Sequence, residues 1–315
     1  MIINARAEAF APASMGNVGC GFDILGLAFC EPGDTVIVEP RDEPGAIMRA
    51  ITGDNGLLPL DATQNTACVS ANALLKQINA PCGVEITLKK DLPLASGLGS
   101  SAASAVAAVV AVNALFGEPL SKEALLPAAL EGEALVSGYH ADNAGPSLLG
   151  GITLITGTAI ADIRRLPVPE KLCFALVTPR VGVKTSEARA VLPHKVPLHS
   201  MVYQTGAVAR VIDALYRNDV EALAQAMESD IVVEPARAHL MPYLAEVRAA
   251  AKQMGAFSLV ISGAGPTLCA VCNNEDTAHR VCVVMKQVYE EADIESDVRY
   301  TRVSKDGALV LSVTA

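Results

Sequence analysis

Between Asp91 and Glu118 the chain carries no charged residue, and no other feature constrains its fold as much. The run is long enough to cross a bilayer, but its first third is Pro, Gly and Ser, and Asn113 interrupts the rest. It reads as a loop followed by a buried helix over residues 101–116, not as a membrane span. A Gly/Ser turn opening straight into a helix with no charge on any face requires a surrounding core. Gly97 and Gly99 let the backbone take positive φ or approach a ligand closely, while Ser100 and Ser101 lie where the first helical N–H groups lack partners. That is an anion site in outline. A capped core helix without a ligand is one alternative. Another is a dinucleotide fingerprint, since Gly97, Gly99 and Ala102 fit GxGxxA and Glu118 lies about twenty residues on. Pro93 before the loop and Pro119 after Glu118 oppose it, and no Lys follows the glycines as a Walker A loop requires.

At 315 residues the chain is about twice a usual domain, which favours two domains sharing one cleft. A hydrophobic fraction of 51% supplies both cores, and with Trp absent the filling falls to Ala, Val, Leu and Ile. The net charge of −10, with no run of Lys or Arg, opposes a nucleic-acid partner. The opening MIINARAEAFAPAS reads as a strand leading into a loop, with no basic, apolar leader, so the mature chain is expected to begin there. Eight cysteines stand singly apart from Cys269 and Cys272, whose CxxC lies in the strand-like LCAVC. Buried small hydrophobes in a reducing cytosol account for them better than a zinc or redox pair.

Without repeats or charge blocks, domain limits must come from changes of element pattern. ADIRRLPVPE, with two prolines between strand-like GGITLIT and LCFALVT, is the best break. The first half reads as strands at 36–39 and 84–88 with helices at 65–79, 101–116 and 121–136. The second reads as strand LCFALVT, helices over 197–227 and 240–254, strands FSLVIS and LCAVC, a helix over 276–291 and final strands ending in ALVLSV. That order suggests a split α+β layer with helices on one face.

Other segments carry candidate chemistry. SGAGPT at 262–267 is a second glycine turn between apolar strands. APASMGNVGCGFD, read as irregular, holds Asn17 and Asp23, and Asp23 suits an ammonium group or else the N-cap of a helix in ILGLAF. EGEALVSGYHADNAGPSLLGG places Glu133 at a helix end, with His140, Asp142 and Asn143 in the loop after it. A carboxylate beside a phosphate suits Mg²⁺, which takes few protein oxygens, although a surface acid is the commoner reading. His140 has no Cys or second His at ligand spacing, which disfavours zinc. Arg189 in KTSEARAVLP and Arg237 in EPARAHL are surface arginines or a carboxylate clamp.

Taken in order, GLGSSAA at 97–103, SGAGPT and the N-terminal glycine segment resemble the GHMP kinases over nearly the whole chain. NVGCGFD, GYHADNAGPSLLGG, TSEARAVLP and EPARAHL resemble the branch of that family acting on the amino acid L-homoserine. Two departures are Cys20 for a usual Pro and Ala264 for a usual Ser. The resemblance implies an α+β fold, with a ribosomal-S5-like domain at 1–165, a ferredoxin-like domain at 166–315 and ATP between them. It implies transfer of the ATP γ-phosphate to the homoserine hydroxyl, in threonine biosynthesis, and is compatible with a homodimer. Carried over by position, Asn65, Pro93, Leu94, Ala95, Ser96, Gly97, Leu98, Gly99, Ser100, Ser101, Ala102 and Ala103 bind the nucleotide. Ser101 and Glu133 hold Mg²⁺. Asn17, Asp23, His140, Asn143, Thr185, Arg189, Arg237 and Gly263 contact the substrate, with Asp23 at its amino group and the arginines at its carboxylate. Asn143, Arg189 and Glu133 form the catalytic set. Asn143 stands where related kinases place a catalytic Asp, so no general base is evident, and Asp142 is expected to point elsewhere.

Overall fold

A computed structural model describes residues 3–315. In chain order it contains β1 (Arg6–Gly16), β2 (Leu25–Arg41), β3 (Ala46–Thr52), α1 (Thr66–Gln77), β4 (Gly83–Lys89), α2 (Ser100–Leu115), α3 (Leu126–Glu133), α4 (Ala141–Leu149), β5 (Ile152–Ile155) and β6 (Ile163–Leu166). There follow β7 (Cys173–Pro179), α5 (Thr185–Ala190), α6 (Leu198–Tyr216), α7 (Val220–Met227), α8 (Val233–Arg237), α9 (Leu244–Gln253), β8 (Ser258–Ile261), β9 (Leu268–Cys272), α10 (Glu275–Glu291), β10 (Ser296–Arg302) and β11 (Leu309–Thr314). The expected first strand is found from Arg6 onward, and Met1 and Ile2 lie outside the described residues.

The strands form two sheets. A seven-stranded sheet runs β11-β1-β2-β4-β3, with β5 joined to the start of β2 and β6 to β5. A four-stranded antiparallel sheet runs β10-β7-β9-β8. Its chain order, a strand, helices, two strands, a helix and a strand, is the split α+β layer expected of the second half. The chain leaves the first sheet after β6 and enters the second at β7. One strand departs from that division, because β11 pairs antiparallel with β1 and returns the end of the chain to the first sheet. We propose domains of 1–165 and 166–315 with that strand handed back.

Helix α2 explains the uncharged run. Residues 102–115 are all buried, packed between β1 and β2 on one side and α1, α3 and α4 on the other. A helix enclosed on every face has no use for a polar stripe. Among the described residues no helix is long and apolar enough to cross a membrane. Cys269 and Cys272 are both fully buried in β9, but they join different hydrophobic clusters on the two faces of the sheet, so the CxxC cannot converge on one ion.

Four local expectations are corrected. ILGLAF is the start of β2 rather than a helix, since residues 25–29 are buried on both faces, where a helix would need a single apolar stripe. APASMG belongs to β1, so the irregular segment is only the turn that follows it. Asp142 and Asn143 lie in the first turn of α4, not in a loop, despite Gly145 and Pro146. Pro146 gives the Asp142 carbonyl no N–H, and that carbonyl instead packs against Gly26 of β2, where a Cβ would overlap it. The long helix expected over 197–227 is divided into α6 and α7, with Asp219 capping α7 through Ala222 N at 2.9 Å.

Candidate active site

Two cavities meet between the sheets. The larger, about 500 Å³, is lined by residues 94–97 and 99–101, by Asn65, Lys90 and Glu133, and by Gly263 and Ala264 of the second glycine turn. Gly99, at φ 63, ends the loop and opens α2, and Gly97 stands at φ 77 against the Ser262 carbonyl, where a Cβ would not fit. Ser262 Oγ donates to Gly97 O at 2.8 Å, which ties the two glycine turns together. Four of the twelve expected nucleotide residues do not line this cavity: Leu98, Ala102 and Ala103 point into the core, and Pro93 lines a separate small cleft. Asn65 lines it while capping α1, its Oδ1 accepting from Ala67 N at 3.0 Å and its Nδ2 donating to Pro59 O at 2.9 Å.

A buried ion pair underlies the loop. Lys90 Nζ donates to Asp34 Oδ2, to Ser100 O at 2.9 Å and Oγ at 2.8 Å, and to Ser104 Oγ at 2.9 Å. Asp34 also accepts from Ser104 Oγ and from the backbone N–H groups of Asp91 and Leu92. The start of α2 is thereby fastened to β2. Sequence reading passed over this pair, although the alternation of buried Ile86 and Leu88 along β4 pointed Lys90 inward.

Glu133, at the end of α3, is only 2% exposed, and its Oε1 has no hydrogen-bond partner. Burial pushes its carboxyl up to about 7, helped by nearby Asp142, while hydrogen bonding to Ser101 and the charge of Lys90 oppose the shift. A single carboxylate with an unused oxygen beside a hydroxyl fits Mg²⁺, whose remaining ligands would come from phosphate and water. Among the described residues no three His, Cys, Asp or Glu side chains gather as a metal cage.

The smaller cavity, about 40 Å³, is lined by Asn17, Phe22, Asp23, His140, Asp142, Arg189 and Arg237, and shares Ser137, Asn143, Thr185, Gly263 and Ala264 with the larger one. All eight expected substrate residues therefore gather in one place. Asp23 and Arg189 face each other as a bidentate pair at 2.8 and 3.1 Å, with His140 Nδ1 3.5 Å from Asp23. Burial lowers the pKa of His140, partly offset by Asp23. Arg237 is 3% exposed and donates to Ala188 O at 3.0 Å and Gly263 O at 2.9 Å. Burial, then repulsion from Arg189, lowers its pKa to about 10, so it stays charged near neutrality. Asn17 Nδ2 donates to the same Gly263 carbonyl at 3.0 Å, while its Oδ1 accepts from Asp23 N at 3.1 Å. Asn143 Oδ1 accepts from Ser14 Oγ at 3.1 Å. Asp142 does not turn away from the site: it lines the small cavity, packed on Gly16, with burial raising its pKa to about 7.

A cavity headed by a glycine loop and a helix N-terminus, joined to a smaller charged pocket, suits phosphoryl transfer. Residues 65–151 match the family model for the GHMP kinases N terminal domain, and residues 211–291 match that for the GHMP kinases C terminal. The chain belongs to the GHMP kinase family and is a kinase. Within that family it is similar to homoserine kinase from Chlorobium phaeobacteroides, 42% identical over 96% of this chain and 99% of the relative. Homoserine kinase from Xylella fastidiosa is 38% identical over 97% and 94%. The crystal structure of homoserine kinase from Cytophaga hutchinsonii has a TM-score of 0.94 at 40% identity, covering 99% of each chain. A mevalonate kinase from L. major in complex with R-mevalonate, at 16% identity and a TM-score of 0.72, shares the fold alone.

Proposed function

We propose that this kinase transfers the γ-phosphate of ATP to the side-chain hydroxyl of L-homoserine, giving O-phospho-L-homoserine for threonine biosynthesis. The observation that carries the reading is the junction of the two cavities. One has the size and glycine-loop lining for a nucleotide, and the other sets a carboxylate, Asp23, against two guanidiniums, Arg189 and Arg237, as a zwitterion requires. ATP phosphates would lie at the N-terminus of α2, against N–H groups of residues 97–101. Ser101 and Glu133 would hold Mg²⁺, which when bound neutralises charge developing on the transferred group. Asn143 stands at the junction with its Oδ1 occupied by Ser14, leaving Nδ2 for the acceptor hydroxyl or a phosphate oxygen. Alignment and charge neutralisation suffice for a loose transition state, and the hydroxyl proton can pass to the phosphate. A cytosolic location accompanies the proposal, from the cysteine usage, and a homodimer is compatible with it.

A substrate panel tests it. ADP release with ATP should be fastest with L-homoserine and far slower with 3-aminopropan-1-ol, which keeps the hydroxyl and amine but lacks the carboxylate. Equal rates with the two compounds, or a clear preference for a sugar or for shikimate, would remove homoserine from the proposal.

Asp142 supplies a second test, through its pKa, raised from 3.8 to about 7 by burial. Between those values the folded chain keeps a proton that the unfolded chain has released, so stability contributed by this group is lost as pH rises from about 4 to 7. Asp142→Asn should reduce that slope and stabilise the ligand-free protein above pH 7 by about 1–3 kcal/mol, measured by urea unfolding across pH. Its rate should fall by less than the 10²–10⁴ typical of a lost general base. A folded variant that is nearly inactive would make Asp142 the base.

A further inference from the structure

Phe22 lies in the turn between β1 and β2, beside residues held at positive φ: Asn17 at 74°, Val18 at 46° and Asp23 at 60°. Arg189 from α5 and Arg237 from α8 reach it from different elements, and each guanidinium carbon is 5.4 Å from the centre of its ring. Both distances fall within the range of a cation–π contact. Some of their N–H donors are engaged elsewhere, Arg189 with Asp23 and Arg237 with the Ala188 and Gly263 carbonyls, while Arg189 Nε has no partner. Phe22 also lines an apolar groove of about 330 Å³ with Cys20, Ile24, Met201, Val208 and Val233, so it forms the wall between that groove and the small charged cavity.

Two guanidiniums converging on one pocket repel each other, and the repulsion is costly where Arg237 is buried. A ring whose quadrupole attracts both offsets that repulsion without occupying the donors that an anion needs. We propose that Phe22 is a positioning residue for carboxylate recognition: its ring holds the Arg189 and Arg237 guanidiniums together so that both face one anion. The inference rests on the amino-acid substrate proposed above, and it assigns Phe22 a role in binding that substrate and none in the transfer step.

Phe22→Leu keeps an apolar side chain but removes the quadrupole, and should raise KM for homoserine roughly 5- to 30-fold, as expected for two partly desolvated cation–π contacts. The turnover number and KM for ATP should stay within about twofold of the parent. Phe22→Tyr, which keeps the ring, should stay close to the parent. Because Leu also changes shape, site-specific replacement of Phe22 by 3,4,5-trifluorophenylalanine, which keeps the ring while weakening its negative face, isolates the electrostatic part. KM rising in step with fluorination supports the inference. A KM unchanged by fluorination, or a loss falling on turnover or on ATP instead, overturns it while leaving the proposed function standing. If the parent itself does not phosphorylate homoserine, both fall.

Discussion

Glu133→Gln is expected to lower turnover by roughly 10²-fold or more, the scale of losing one charge-stabilising contact to the transferred group. The reason lies in how the carboxylate is held. It is 2% exposed at the end of α3, with Oε1 unpartnered and Ser101 alongside, and burial raises its pKa to about 7. A buried acid with an idle oxygen weakens the fold of the ligand-free chain near neutrality, because the cost of desolvating it is not repaid by hydrogen bonds. Glutamine keeps the shape and removes the charge, so the unfolding midpoint above pH 7 should hold or rise, and not fall, while the Mg²⁺ dependence of nucleotide binding weakens. Turnover measured against Mg²⁺ concentration, together with nucleotide affinity at each concentration, provides the check. Parent-like activity at limiting Mg²⁺ would withdraw Glu133 from the metal site.

Arg189→Ala and Arg237→Ala should each reduce kcat/KM for homoserine by about one to three orders of magnitude, from charged hydrogen bonds of roughly 1.5–3 kcal/mol each and a partner left unpaired. The structure separates their side effects. Arg189 pairs with Asp23 at the cavity wall, with its side chain 31% exposed, so its removal should leave stability and KM for ATP nearly unchanged. Arg237 is almost fully buried and fastens α5 to the second glycine turn through Ala188 O and Gly263 O. Sequence motifs alone place neither arginine at the nucleotide, yet Gly263 lines both cavities. Arg237→Ala should therefore also cost about 1–3 kcal/mol of stability, by orphaning the Ala188 carbonyl and leaving Gly263 O with Asn17 alone, and should raise KM for ATP modestly. Steady-state kinetics and denaturant unfolding of both variants are the measurements. 3-Aminopropan-1-ol should be a poor substrate for the parent and respond little to either change. Losses shared equally by homoserine and this analogue would contradict a carboxylate clamp.

Local rules make part of this protein legible in its sequence. Gly97 and Gly99 announce a loop that needs positive φ, and the absence of charge between Asp91 and Glu118 announces a helix enclosed on all sides. Both are demands that a short segment makes on its own backbone or surroundings, and such demands are written in neighbouring residues. ILGLAF shows the limit of that legibility. Six apolar or small residues suit a buried strand as well as a helix, and only the presence of β1 and β5 on either side decides for β2.

The same limit governs the site. Asp23 and Arg189 are 166 residues apart in sequence, Lys90 and Asp34 are 56 apart, and Asn17 reaches Gly263 across 246. Apart from Lys90, which the alternation along β4 points inward, each of these side chains taken singly has an ordinary surface or capping role available to it, and none of their neighbours names the partner. The sequence by itself determined the glycine turns, the buried helix and the change of pattern near residue 165, because these follow from backbone geometry and solvation acting over a few residues. Only the tertiary structure decided that Phe22 meets both arginines, that Asp142 lines the pocket and that β11 returns to the first sheet. Those outcomes depend on how distant segments share one desolvated space, and that free energy belongs to the packed arrangement rather than to any stretch of chain.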